Sequence, residues 1–147
     1  MKLEWVRKSQ GAGVVVFIHG INSDCKRAFT NDESGAFWPQ MLADDREVGE
    51  LAVATFDYGT GVEAGTYGLD DASKSLATYL NSNHVFVGQP WLIFVAYSLG
   101  GLVARQHAVD YRRQLESAFK ALGLFLVASP AGGSGWANWI SRVKFFI

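Results

Sequence analysis

Trp91-Leu92-Ile93-Phe94-Val95-Ala96-Tyr97-Ser98-Leu99-Gly100-Gly101-Leu102-Val103-Ala104-Arg105 is the stretch that decides the fold. Trp91 to Ala96, just after Pro90, is a short apolar run rich in β-formers, as expected of a strand buried on both faces. From Leu99 the pattern turns helical and predicts one long helix from Leu99 to Phe119, ending at Lys120. The change from strand to helix is compressed into Ala96 to Gly101, so the chain must turn sharply there. On such a turn, the residues two before and two after the central serine must be small, because strand and helix approach closely. Gly100 meets that demand, and Ala96 meets it with one extra methyl.

Working outward, the same alternation recurs. Val14-Val15-Val16-Phe17-Ile18 is a continuous β-branched and aromatic run bounded by Gly13 and Gly20. Leu51 to Phe56 and Leu122 to Ala128 read as further strands, and Lys2 to Arg7 as an additional edge strand. Ala36 to Glu47 carries Phe37, Trp38, Met41 and Leu42 at helical spacing. Leu69 to Asn81 opens with Asp70 and Asp71, which suit a helix N-terminus, and places Leu76, Tyr79 and Leu80 on one face. Ser134 to Val143 reads as a last short helix capped by Ser134. Gly59 to Gly68 reads as a surface loop. Strands alternating with helices predict a mostly parallel sheet covered on both faces, a three-layer α/β/α sandwich.

Composition narrows the functional classes. The 147 residues fit one domain, residues 1–147. With 49% hydrophobic and 18% charged residues, the chain can bury a core, which excludes global disorder. Thirteen Lys+Arg against 14 Asp+Glu, with no long basic run, argue against nucleic acid as a partner. A single cysteine, Cys25, excludes a disulfide framework and a cysteine-based zinc site. No apolar stretch reaches the roughly 18 residues of a membrane span. The N-terminus has no secretory h-region, so a cytoplasmic location is expected.

In parallel α/β sheets ligands sit beyond the carboxyl ends of the strands. Ser98 would lie there on a strained turn, its hydroxyl lifted above the sheet and near a helix N-terminus whose dipole favours developing negative charge. This is the form of a nucleophile elbow, and Ser98 is the candidate nucleophile, flanked by Tyr97 and Gly100. Phe17-Ile18-His19-Gly20-Ile21-Asn22 follows another strand, and Gly20 there allows a sharp backbone turn. The N–H groups of Ile21 and Leu99 would then form a two-donor oxyanion hole. His19 reads as a hydrogen-bonding loop residue rather than a proton-transfer group.

Together these segments resemble the α/β-hydrolase superfamily. Val15-Val16-Phe17-Ile18-His19-Gly20, with Trp38-Pro39 downstream, is similar to the entry of a serine esterase/lipase family. That family includes the domain of unknown function DUF676 and its PGAP1-like and SERAC-like lipase relatives. Tyr97-Ser98-Leu99-Gly100-Gly101-Leu102-Val103-Ala104-Arg105 resembles its elbow. Leu124-Phe125-Leu126-Val127-Ala128-Ser129-Pro130-Ala131-Gly132-Gly133-Ser134 resembles its following strand and loop. The three motifs occur in the family's order and cover most of residues 13–139. The resemblance implies hydrolysis of small or lipid-like carboxylic esters through an acyl-serine, with no metal or organic cofactor.

The chain departs from the family pattern in three ways. Ala96 stands where Gly is usual, and Tyr97 and Ala131 stand where His is common. More consequential is the order of the catalytic groups, which in this superfamily runs Ser, then Asp or Glu, then His. Here the last acidic residue is Glu116 and the last histidine is His107, both on the predicted helix after Ser98. By that resemblance the chain stops after the sixth core strand, without the strands that carry the acid and the base. His107 should lie about 13 Å along the helix from Ser98, and His84 at the opposite end of the sheet. Only His19 lies at the correct edge, so a rearranged site of Ser98, His19 and Asp57 or Asp24 is one alternative. Asp57 otherwise matches a structural turn of the superfamily.

A second functional class is a non-catalytic hydrolase-fold module that binds an acyl ligand or a partner protein. A third, nucleotide binding at Gly59-Thr60-Gly61 and Gly65, lacks both a helix at those glycines and an acidic ribose contact. Cys25 reads as an ordinary or semi-buried thiol, and the five tryptophans, Trp5, Trp38, Trp91, Trp136 and Trp139, chiefly as core. Leu122 to Ala128 would be an edge strand with a covered strand's sequence, which predicts self-association unless Trp136 to Ile147 cover it.

Overall fold

A computed structural model describes residues 1–59 and 68–130. Its elements run β1 (Lys2–Arg7), β2 (Val14–Ile18), α1 (Cys25–Ala28), α2 (Trp38–Asp44), β3 (Ala52–Asp57) and α3 (Leu69–Ser82). They continue with β4 (Trp91–Tyr97), α4 (Gly100–Asp110), α5 (Arg112–Ala118) and β5 (Ala121–Val127). Strand order is β1-β3-β2-β4-β5; β1 is antiparallel to β3 and the other neighbours are parallel. The expected mostly parallel sheet is therefore present, with Lys2–Arg7 as its antiparallel edge.

β2 sits at the centre, and all five of its residues are buried, as its unbroken apolar run requires. Side-chain alternation along the strands divides the core into two layers. Val14, Val16, Ile18, Phe56, Phe94 and Ala96 pack with α3, α4 and α5, while Val15, Phe17, Val53 and Val95 pack with α1 and α2. In α3, Asp71 accepts the Gly68 N–H at 2.9 Å, stabilising the first turn, and Leu76 and Leu80 are fully buried.

The structure corrects several expectations. The single helix from Leu99 to Phe119 is two, broken at Tyr111 (φ −109°, ψ 20°). The Tyr111 ring stacks on His107 at 4.8 Å, and the bend lets α5 lay Leu115 and the following Phe119 onto the core. The short helix α1 had no periodic signal, being only four residues long. Met41 is exposed, and Trp91 and Trp38 are not core residues, with 51% and 37% of their surface open. The Ser134 to Val143 helix, the covering role of Trp136 to Ile147, and most of the Gly59 to Gly68 loop lie outside the described residues. No helix among the described residues is long and apolar enough to cross a membrane.

Candidate active site

The strand register brings the two site-bearing turns together. Ile18 pairs with Ala96, so the next residues, His19 and Gly20, run beside Tyr97 and Ser98. Sequence order reverses across the sheet here: from β2 the chain passes to β3 on one side and later to β4 on the other. That is the switch point where open α/β sheets bind ligands.

Ser98 has φ +52°, a left-handed conformation unusual for a residue with a side chain. Its N–H donates to Val127 O at 2.9 Å, tying the turn to the end of β5. Small neighbours permit this. A Cβ built on Gly20 would stand 2.9 Å from Ser98 Cβ. A Cβ on Gly100 would strike the carbonyl oxygens of His19 and Ile18, the latter at 2.5 Å. The space that a Cβ on Gly101 would need is taken by Ser129, whose buried Oγ has no hydrogen-bond partner among the described residues. Ala96, fully buried, fits in place of the smaller glycine.

Leu99 is helical (φ −59°, ψ −30°) at the head of α4, where the first turn's N–H groups have no intrahelical acceptor. Neither the Leu99 nor the Ile21 N–H has a hydrogen-bond partner among the described residues. Asn22, next to Ile21, takes a left-handed φ of +49°, which turns the loop away from the strand.

His19 is completely buried, and both of its ring nitrogens are engaged. Tyr58 N–H donates to Nε2 at 3.1 Å, which leaves the proton on Nδ1, where it is donated to Gly20 O at 2.7 Å. Burial lowers the His19 pKa below the ordinary imidazole value, outweighing the opposing effects of the Gly20 hydrogen bond and of Asp57. The 3.7 Å approach of Asp57 Oδ1 to Nε2 is accordingly a contact with a neutral ring. This arrangement matches the loop-bonding reading of His19 and leaves it no free lone pair for Ser98.

The acids of the rearranged alternative are engaged elsewhere. Asp57 Oδ1 accepts the Cys25 N–H at 2.7 Å, and Asp24 caps α1 by accepting the Arg27 N–H at 2.8 Å. Cys25 is buried, and its thiol faces the Phe17 and Phe56 carbonyls at 3.4 and 3.3 Å. Burial first, then Asp57, pushes that thiol far above its ordinary range, so it is no nucleophile. His107 lies nine residues beyond Ser98 in α4, buried against Phe94 and Tyr111, and His84 follows α3, before β4 begins. Among the described residues, no histidine or carboxylate is hydrogen-bonded to Ser98. No group of three or more His, Cys, Asp or Glu that could hold a metal is present among them either.

Tyr58 is the site-supporting residue that the motifs did not single out. Its ring stacks on His19 at 4.6 Å, its hydroxyl donates to His19 O at 3.1 Å, and its N–H fixes the imidazole tautomer. The only signal was an aromatic residue just after Asp57, at the carboxyl end of a strand.

No family model matches the sequence, and no curated protein matches it. Solved structures do. A carboxylesterase structure from the ammonia-oxidising thaumarchaeon Nitrososphaera gargenis aligns with 97% of this chain and 46% of its own, at 13% identity and a TM-score of 0.66. The α/β hydrolase MGS-MChE2, from a sediment metagenome of the Mar Chica lagoon in Morocco, aligns with 99% of this chain and 57% of its own, at 14% identity and a TM-score of 0.53. The fold is that of the α/β hydrolases, carried here on a five-stranded, mostly parallel sheet. The chain spans about half the length of these neighbours.

Proposed function

We propose that this chain is a single hydrolase-fold domain of the serine esterase/lipase type, acting in the cytoplasm on small or lipid-like carboxylic esters. The observation that carries the reading is Ser98, held at φ +52° between β4 and α4 with Gly20 and Gly100 cleared around it. Holding a serine in a left-handed turn costs about 1 kcal/mol or more, which is typical of sites where strain positions a reacting group. In this reading Ser98 Oγ attacks the acyl carbon and the N–H groups of Ile21 and Leu99 stabilise the oxyanion. The Oγ proton passes to the departing alkoxide, which leaves as the alcohol, and water then cleaves the acyl-Ser98 bond, releasing the acid and restoring the Ser98 hydroxyl. His19, Gly20, Tyr97 and Gly100 shape the site. By resemblance, the catalytic acid and histidine would come from strands following β5; where β5 is left uncovered, the reading includes self-association through it.

Hydrolysis of short p-nitrophenyl esters tests this. Ser98→Ala is expected to lower the rate by a factor of about a thousand or more while leaving the fold intact. Equal turnover by the variant would rule the reading out. The full engagement of the His19 nitrogens favours one second reading, a non-catalytic module that binds an acyl ligand or a partner protein. In that case neither protein turns over ester, and Ser98→Ala leaves ligand binding unchanged.

A further inference from the structure

The amino ends of the parallel strands carry a second concave site. A cavity of about 510 Å³ opens there, lined by Trp5 of β1, by Lys8 and Gln10 just after it, and by Asn83, His84 and Val87 in the turn from α3 to β4. That volume lies within the roughly 300–1,000 Å³ of small-molecule pockets. Ser98 is at the other end of β4, whose seven residues span about 20 Å. The two walls are hydrogen-bonded to each other, so the cavity is formed before any ligand arrives. Gly11 N–H donates to Gly88 O at 2.9 Å. Gln89 is buried; its Oε1 accepts the Gly13 N–H at 3.0 Å and its Nε2 donates to Ser9 O.

His84 is the irregular member of the lining. α3 ends with the Val85 N–H on Leu80 O and the His84 N–H on Asn81 O, both at 3.0 Å. This closure puts the residue before Val85 in the left-handed region, where glycine is the usual choice. His84 stands there at φ +55°. Strain of this kind gathers where a side chain has a task beyond the turn itself. Among the described residues, none of the lining groups is acidic, whereas Lys8 and His84 both line the cavity. Lys8 forms no ion pair among the described residues. Half-buried Trp5 and Val87, 58% exposed, supply apolar surface beside these donors.

We propose that this cavity binds a small aromatic carboxylate, with its ring against Trp5 and Val87 and its carboxylate at Lys8 and His84. Lys8 supplies the opposite charge and His84 a ring N–H donor, which together favour an anion over a cation or a neutral molecule. The apolar wall favours a flat organic body over a bare inorganic anion, because only the former buries surface against Trp5. The site lies apart from Ser98 and does not depend on Ser98 being active.

Isothermal titration calorimetry of the full chain with naphthoate tests this. A Kd of about 100 μM or tighter is expected, weakening as salt is raised. Naphthylmethanol, the same ring without the charge, should bind more weakly by roughly tenfold or more. Lys8→Gln should weaken naphthoate binding by roughly fivefold. His84→Gly gives a readout that a purely structural residue would not: binding should weaken while the melting temperature rises, because glycine relieves the left-handed strain. Ser98→Ala should bind naphthoate as the native chain does, which separates this cavity from an ester site. Circular dichroism establishes that each variant is folded. No binding at millimolar naphthoate, equal affinity for naphthylmethanol, or equal competition by inorganic phosphate would overturn the proposal. So would undiminished binding in folded Lys8→Gln and His84→Gly, or binding lost in Ser98→Ala.

Discussion

Gly100→Ala should lower the melting temperature by roughly 10 °C, corresponding to about 3 kcal/mol in a domain of this size. Helix propensity alone predicts the opposite sign, since alanine is better than glycine inside a helix by about 1 kcal/mol. Packing decides the outcome. The added methyl would collide with the backbone carbonyls of Ile18 and His19, and backbone cannot rotate aside as a side chain can. Helix α4 would have to back away from β2, carrying Ser98 with it. The collision at Gly101 differs in kind, because its obstacle is the Ser129 side chain. A Gly101→Ala defect should therefore be relieved by Ser129→Gly, whereas nothing comparable relieves Gly100→Ala. An unchanged melting temperature for Gly100→Ala would mean that strand and helix do not approach this closely.

Acid should destabilise the protein through His107. Burial lowers its pKa to about 4, against the smaller opposing effects of its Ser73 carbonyl hydrogen bond and of Asp110. Nδ1 lies 3.3 Å from Ser73 O, and Nε2 has no partner among the described residues. The folded state thus holds His107 neutral at pH values where the unfolded chain, with an ordinary imidazole pKa near 6.5, binds a proton. Its contribution is fully present above pH 6.5 and is lost as the pH falls from about 6.5 to about 4. The full loss amounts to about 3 kcal/mol. Buried His19, also lowered, acts in the same direction. Urea unfolding at pH 7 and pH 4.5 should show this fall. His107→Phe should forfeit about 1 kcal/mol at pH 7 for the lost hydrogen bond, yet flatten the acid limb. Parallel pH profiles for the two proteins would show that His107 is not the titrating group.

The sheet and the two site turns were legible because both rest on local pattern. Val14 to Ile18 announces a central strand by being apolar throughout, and the Ala96 to Gly101 turn shows itself by small residues at fixed offsets from Ser98. Features set by distant contacts were not legible. Tyr111 breaks the helix after Ser98 without a glycine or proline, and its ring packs on His107. Trp91 and Phe125 look like core residues by composition, but their exposure follows from the strand order and from α1 and α2 packing against the layer of Val15, Phe17, Val53 and Val95. The bonding of His19 depends on Tyr58, 39 residues away, so no local reading could fix its tautomer.

The central proposal is that Ser98 is the nucleophile of an ester hydrolase. Labelling the purified chain with a fluorophosphonate and reading its intact mass tests this most directly. One adduct on the native chain, absent from Ser98→Ala, is the predicted result. No adduct on the folded native chain, or an adduct that persists in Ser98→Ala, would contradict it.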